Sequence, residues 1–94
     1  MNHTLLSKCA NTAIEQIQEF MQEEGTNNTL ESIKQQMIFI RDNSQVGKNP
    51  IHELGNDREF TYGILSSREF ASPKELELKE LINNVSNLLY SEET

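Results

Sequence analysis

Ser72, Pro73 and Glu75 fix the start of a helix more firmly than any other feature of this chain. A serine before the first turn can accept the backbone N–H three residues on. A proline at the first helical position loses no hydrogen bond there, and a glutamate at the third can reach back to the serine's own N–H. Beyond this capping box, Leu78, Leu81, Ile82, Val85, Leu88 and Leu89 recur at steps of three and four. That spacing makes one wide apolar face, and it predicts a helix over residues 73–90. Upstream, Phe60, Gly63, Ile64, Ser67 and Phe70 fall on one side of a second predicted helix over residues 56–70, with Asn56 or Asp57 as cap and Glu59 in capping-box position. Gly63 costs such a helix about 1 kcal/mol relative to Ala unless another backbone packs against it. The pair turns at a tight corner over residues 71–73, and the remaining chain must cover its apolar side.

The cover comes from two further amphipathic stretches. Over residues 4–24, Leu6, Cys9, Ala10, Ala13, Ile14, Ile17, Phe20 and Met21 occupy one half of a helical wheel. Gly25 stands where a left-handed C-cap residue ends a helix. On the opposite side Glu15, Glu19 and Glu23 stack four apart as an acidic ridge, which costs about 0.2–0.5 kcal/mol per like-charged pair. Over residues 29–42, with Asn28 or Thr29 as cap and Glu31 in capping-box position, Leu30, Ile33, Met37 and Ile40 form the main stripe. Phe39 points away from that stripe. It fills a second part of the core or stands exposed as an anchor for a partner. Residues 42–49 form the longest polar loop, and Pro50 opens a short turn closed by Gly55. Period-two alternation is missing, so no strand is expected. The expected fold is all-α: one domain over residues 1–94, a compact four-helix bundle with short loops.

Acidic residues outnumber basic ones 15 to 8, for a formal charge of −7. Phosphate binding needs a basic stripe, and none is present, so nucleic acid is not an expected partner. A basic protein surface is the natural complement. No apolar run approaches the roughly 20 residues of a membrane span, and the opening residues lack the hydrophobic core of a secretion signal. Together with a single cysteine, Cys9, this points to a reducing, cytoplasmic setting.

Chemistry is hard to find. Cys9 sits on an apolar helix face, where a small packing residue is expected rather than a reactive thiol. His52 beside Glu53 is the best acid–base pair on offer, and a neighbour pair alone is no site. Zinc-ligand spacing and glycine-rich phosphate loops are absent. The expectation is a non-enzymatic binding protein with no cofactor and no metal.

Two stretches carry a resemblance. SIKQQMIFIR (residues 32–41) contains Gln36, Phe39, Ile40 and Arg41; YGILSSREF (residues 62–70), followed by Pro73, Glu75 and Leu76, contains Gly63, Arg68, Glu69 and Phe70. In this order and at this separation they resemble a family of small helical immunity proteins of bacterial type VI secretion, whose founding member protects against a toxin that hydrolyses NAD(P)⁺. The resemblance covers residues 32–81; the first helix shows no match beyond length and amphipathicity. The link from Phe70 to Pro73 is about one residue shorter than the family's, with Ser72 where an acidic residue precedes the proline. What the resemblance implies is a cytoplasmic inhibitor that binds a cognate toxin and covers its NAD(P)⁺ cleft. ADP-ribosyltransferase-fold relatives of such toxins do other chemistry.

A cleft that accepts a pyrophosphate is usually locally basic, so the expected toxin-binding residues are Asp42, Glu53, Asp57, Glu59, Tyr62 and Glu69. Tyr62 is either an exposed aromatic anchor or a core residue of the helix's second side. The ridge of Glu15, Glu19 and Glu23, with Phe39, is the alternative surface. The competing functions are a helical adaptor or oligomer subunit that uses Phe39 and the acidic faces, and a small enzyme built on His52 and Glu53. The oligomeric state is left open.

Overall fold

The computed structural model describes residues 2–55 and 57–90. Five helices follow one another: α1 (His3–Glu24), α2 (Asn28–Gln45), α3 (Pro50–Leu54), α4 (Tyr62–Glu69) and α5 (Pro73–Leu89), with no strand among the described residues. α1 packs on α2 and α5, α2 on α4, and α4 on α5, so the four close a ring, with α3 attached to α2. The core lies inside that ring. Leu6, Ala10, Ala13, Ile14 and Ile17 enter from α1, and Leu30, Ile33, Met37 and Ile40 from α2. Leu78, Ile82, Val85 and Leu89 enter from α5. These are the stripes expected for the three long helices. Cys9, Phe20, Met21, Leu81 and Leu88 flank them, packed against the core and partly buried.

Two polar contacts give the directions of the helices. Arg41 Nη1, late in α2, donates to Asn11 Oδ1 in the first half of α1 at 3.1 Å. Lys74 Nζ, at the start of α5, lies 3.2 Å from both Glu23 Oε2 and Glu24 Oε1 at the end of α1. α1 therefore runs antiparallel to both neighbours. Among the described residues, no helix is long and apolar enough to cross a membrane.

The capping box at the corner is present. Glu75 N–H donates to Ser72 Oγ at 3.3 Å, and Ser72 N–H returns to Glu75 Oε1 at 3.0 Å. The Ala71 N–H joins the same carboxylate oxygen at 3.3 Å. Hydrogen bonding from Ser72, backbone first, holds the Glu75 carboxyl below the usual glutamate range. Elsewhere the caps shift by a residue. Asn27, not Asn28 or Thr29, caps α2 by accepting Leu30 N–H at 2.9 Å. Glu31 is consequently free of a capping role and turns to Lys34 at 3.4 Å. Gly25 has the positive φ expected of it (92°), but its ψ of 166° is extended rather than left-handed helical. α2 continues to Gln45, so Asp42 is helical and the loop shrinks to residues 46–49. The IHEL turn is the helix α3, capped by Asn49 onto Ile51 N–H at 2.9 Å.

The largest departure is the helix expected over residues 56–70. Only Tyr62–Glu69 is helical; Asp57 to Thr61 form a non-helical link, so Asp57 caps nothing and Glu59 completes no capping box. Asn56 lies outside the described residues. The apolar face is also reversed. Tyr62 and Ser66 are buried and Leu65 half-buried, whereas Gly63, Ile64 and Ser67 face outward. Phe60 and Phe70 had suggested the opposite side, but both lie outside the helix, where helical phase does not bind them. Phe60 sits on the link, and Phe70, at φ −91° and ψ 119°, has already turned extended.

Gly63 therefore has no internal packing reason. A methyl group added there would meet nothing within 4 Å. Gly63→Ala is expected to raise stability by about 0.5–1 kcal/mol, chiefly by restricting the unfolded chain. A denaturant midpoint that does not rise would contradict this.

Candidate protein-docking surface

Of the six residues expected to bind a partner, five are exposed and Tyr62 is buried. Asp42 is exposed on α2 and accepts from Arg41 Nε at 3.1 Å. Glu53 is exposed on α3, and Asp57 and Glu59 are exposed on the link before α4. Glu69 ends α4 beside Asn27, Asn28 and Thr29, at the start of α2, far along that helix from Asp42. Tyr62 is only 2% exposed, so of its two readings the core residue is correct. Its hydroxyl and Ser86 Oγ share a 2.8 Å hydrogen bond that ties α4 to α5, and burial pushes the phenol up to about 12.

Phe39 likewise takes the packing role. It is half-buried and meets Phe60 edge to face, with ring centroids 6.0 Å apart, and Phe60 in turn leans on Tyr62 at 5.8 Å. Gln36, one turn before Phe39, holds this aromatic corner in place. Its Oε1 accepts from Thr61 N–H at 2.8 Å and Tyr62 N–H at 2.9 Å, and its Nε2 donates to Thr61 Oγ1 at 2.9 Å. Thr61 gives α4 no side-chain cap of its own, so a side chain from α2 does the capping. Local pattern reading had no means of finding that contact, because it spans 25 residues.

Cys9 is half-buried against the core, while His52 and Glu53 are both exposed. Among the described residues, no group of three His, Cys, Asp or Glu side chains could hold a metal ion.

Among the hollows that border α5 are two lined partly by apolar side chains. One, about 510 Å³, lies between α4 and α5 and is lined by Tyr62, Gly63, Ile64, Arg68, Ser86 and Tyr90 among others. Ile64 and Tyr90 are more than half exposed there. The other, about 390 Å³, is a groove between α1 and α5. Phe20, Leu78 and Leu81 give it an apolar floor, and Glu19 and Glu23 from α1 face Glu77 and Glu80 from α5 across it, with Lys74 at one end. The acidic ridge of α1 thus divides. Glu19 and Glu23 border the groove, whereas Glu15 accepts from Asn11 Nδ2 at 2.7 Å, the same Asn11 that receives Arg41. Glu77 and Glu80 escaped sequence reading because they flank the α5 stripe, and only the packing of α5 on α1 gives them an acidic counterpart.

Comparison with known proteins gives a family model, described as Tsi6, that matches residues 6–92. The match reaches well beyond the two motifs of residues 32–81 and includes nearly all of α1, where the resemblance extended only to length and amphipathicity. No curated protein and no solved structure matches the chain.

Proposed function

The chain belongs to the Tsi6 family of immunity proteins, and from that premise we propose that it neutralises one cognate toxin of interbacterial competition by binding its catalytic domain and covering the active-site cleft. The family match over residues 6–92 carries this reading. The toxin is delivered by type VI secretion and consumes NAD(P)⁺, or is an ADP-ribosyltransferase-fold relative acting on a similar dinucleotide. The inhibitor works in the cytoplasm, where that substrate is found.

Physical chemistry supports the same role. The formal charge of −7 suits a partner whose cleft is basic because it holds a pyrophosphate, and opposite charge speeds encounter. A ring of helices closed before binding loses little conformational freedom on docking, so more of the interaction energy appears as affinity. Occlusion needs only a complementary surface, not a nucleophile or a metal. The test is growth of cells that express the toxin encoded beside this gene. Co-expression of this protein is expected to restore growth to that of toxin-free cells; equal killing with and without it would contradict the reading.

A further inference from the structure

The α1–α5 groove joins an apolar floor of three side chains to a rim that is mostly acidic. Four carboxylates, Glu19, Glu23, Glu77 and Glu80, stand against one ammonium, Lys74, a formal balance of −3. The floor of Phe20, Leu78 and Leu81 belongs to two long helices already packed on each other, so the groove is preformed. Its volume of about 390 Å³ lies at the lower end of the ligand-pocket range, room for a few side chains rather than a whole element.

Lys74 shows how the groove treats a cation. Its Nζ is seated 3.2 Å from a carboxylate oxygen of Glu23 and 3.2 Å from one of Glu24. Among the described residues, no cation pairs with Glu19, Glu77 or Glu80.

We propose, resting on the immunity reading above, that this groove receives a segment of the toxin in which an apolar side chain is flanked by Lys or Arg. The apolar residue covers Phe20 and Leu81, and the basic ones meet the rim at Glu19 and Glu80. A second copy of this chain is the wrong occupant, since a −7 molecule is repelled by a groove of the same sign. Nucleic acid is repelled for the same reason. The α4–α5 hollow has Arg68 as the one charged residue in its lining and so presents no acidic complement. The carboxylates of Asp57 and Glu59, on the link, do not border this floor.

The test compares two variants of equal charge change against the purified toxin domain encoded beside this gene: Glu19→Lys with Glu80→Lys in the groove, and Asp57→Lys with Glu59→Lys on the link. All four side chains are exposed, and circular dichroism verifies the fold of both. The groove pair is expected to weaken toxin binding by about 100-fold or more and to abolish protection, while the link pair loses less than about 5-fold. Lys74→Ala, which removes the internal competitor for Glu23 and Glu24, is expected to raise the association rate about 2-fold. If the groove pair misfolds, Glu19→Gln with Glu80→Gln carries the test, with a flatter salt dependence of association expected and an unchanged one overturning the proposal. A groove pair that binds as the wild type does, or a link pair that loses as much, overturns the groove assignment while protection by the wild type keeps the immunity reading intact. A wild type that does not bind the toxin overturns both.

Discussion

Replacing Tyr62 by Ala is expected to destabilise the protein by about 3–5 kcal/mol, the cost of emptying a buried aromatic site. Tyr62 is the residue through which short α4 enters the core. It is 2% exposed, its ring leans on Phe60 at 5.8 Å, and its hydroxyl reaches Ser86 on α5 at 2.8 Å. Few other groups hold an eight-residue helix that is too short to be stable alone. Tyr62→Phe should cost only about 1 kcal/mol, the net worth of the lost hydrogen bond. The Phe variant also isolates a pH effect. Burial is the chief reason that the folded phenol is pushed up to about 12 from an ordinary 10.0. Below pH 10 both states hold the proton and the group contributes no slope. Above pH 10 the unfolded chain loses its proton first, so stability falls as pH rises towards 12. The Tyr90 phenol, raised chiefly by burial, adds a slope of the same sign. The reading is therefore the difference between wild type and Tyr62→Phe in denaturant unfolding at pH 8 and pH 11. The wild type should lose more stability over that interval; equal losses would show that Tyr62 ionises as freely folded as unfolded.

Gln36→Ala should cost about 1–2 kcal/mol, the range of a lost helix cap, and its effect should be felt far from the substitution. The Thr61 and Tyr62 N–H groups lose the acceptor at 2.8 and 2.9 Å that replaces a local cap for α4. Gln36→Glu keeps an acceptor of the same length and loses only the Nε2 donations to Thr61 Oγ1 and Ser32 Oγ, so it should retain most of the stability at neutral pH. Amide hydrogen exchange localises the effect. In Gln36→Ala the amides of Thr61 and Tyr62 should exchange faster while those in the middle of α1 change only with global stability. Unchanged exchange at Thr61 and Tyr62 would show that α4 is capped in another way.

That same contact explains which parts of the fold were legible in the amino-acid sequence. α1, α2 and α5 announce themselves because each carries its periodic stripe and its own cap: Asn2 onto Leu5 N–H, Asn27 onto Leu30 N–H, and Ser72 with Glu75. Errors there are a residue or a turn, as where Asn27 takes the place of Asn28. α4 carries neither signal. Its cap is supplied by α2, and the two phenylalanines that bracket it lie outside the helix, so its length was overestimated and its faces were exchanged. The two motifs that carried the family resemblance meet in space at this point, Gln36 from the first holding Tyr62 of the second.

The candidate surface was legible only in its charge. Glu19 and Glu23 could be read as exposed acids from helical phase alone, and exposed they are. Their pairing with Glu77 and Glu80 over an apolar floor depends on α5 lying beside α1, a tertiary fact with no local signature. Tyr62 was left open: taking Phe60 and Ile64 as the inward side allowed it to be an exposed anchor or a core residue of the second side, and the shorter helix turns it in.

The proposed neutralisation by stoichiometric cover can be followed in a single titration. The toxin domain encoded beside this gene is assayed for NAD(P)⁺ consumption while this protein is added at concentrations well above the dissociation constant. Activity is expected to fall linearly to zero at one molecule of inhibitor per active toxin molecule, with dinucleotide binding lost in parallel. Full activity at saturating inhibitor, or a complex that still binds and consumes NAD(P)⁺, would contradict it.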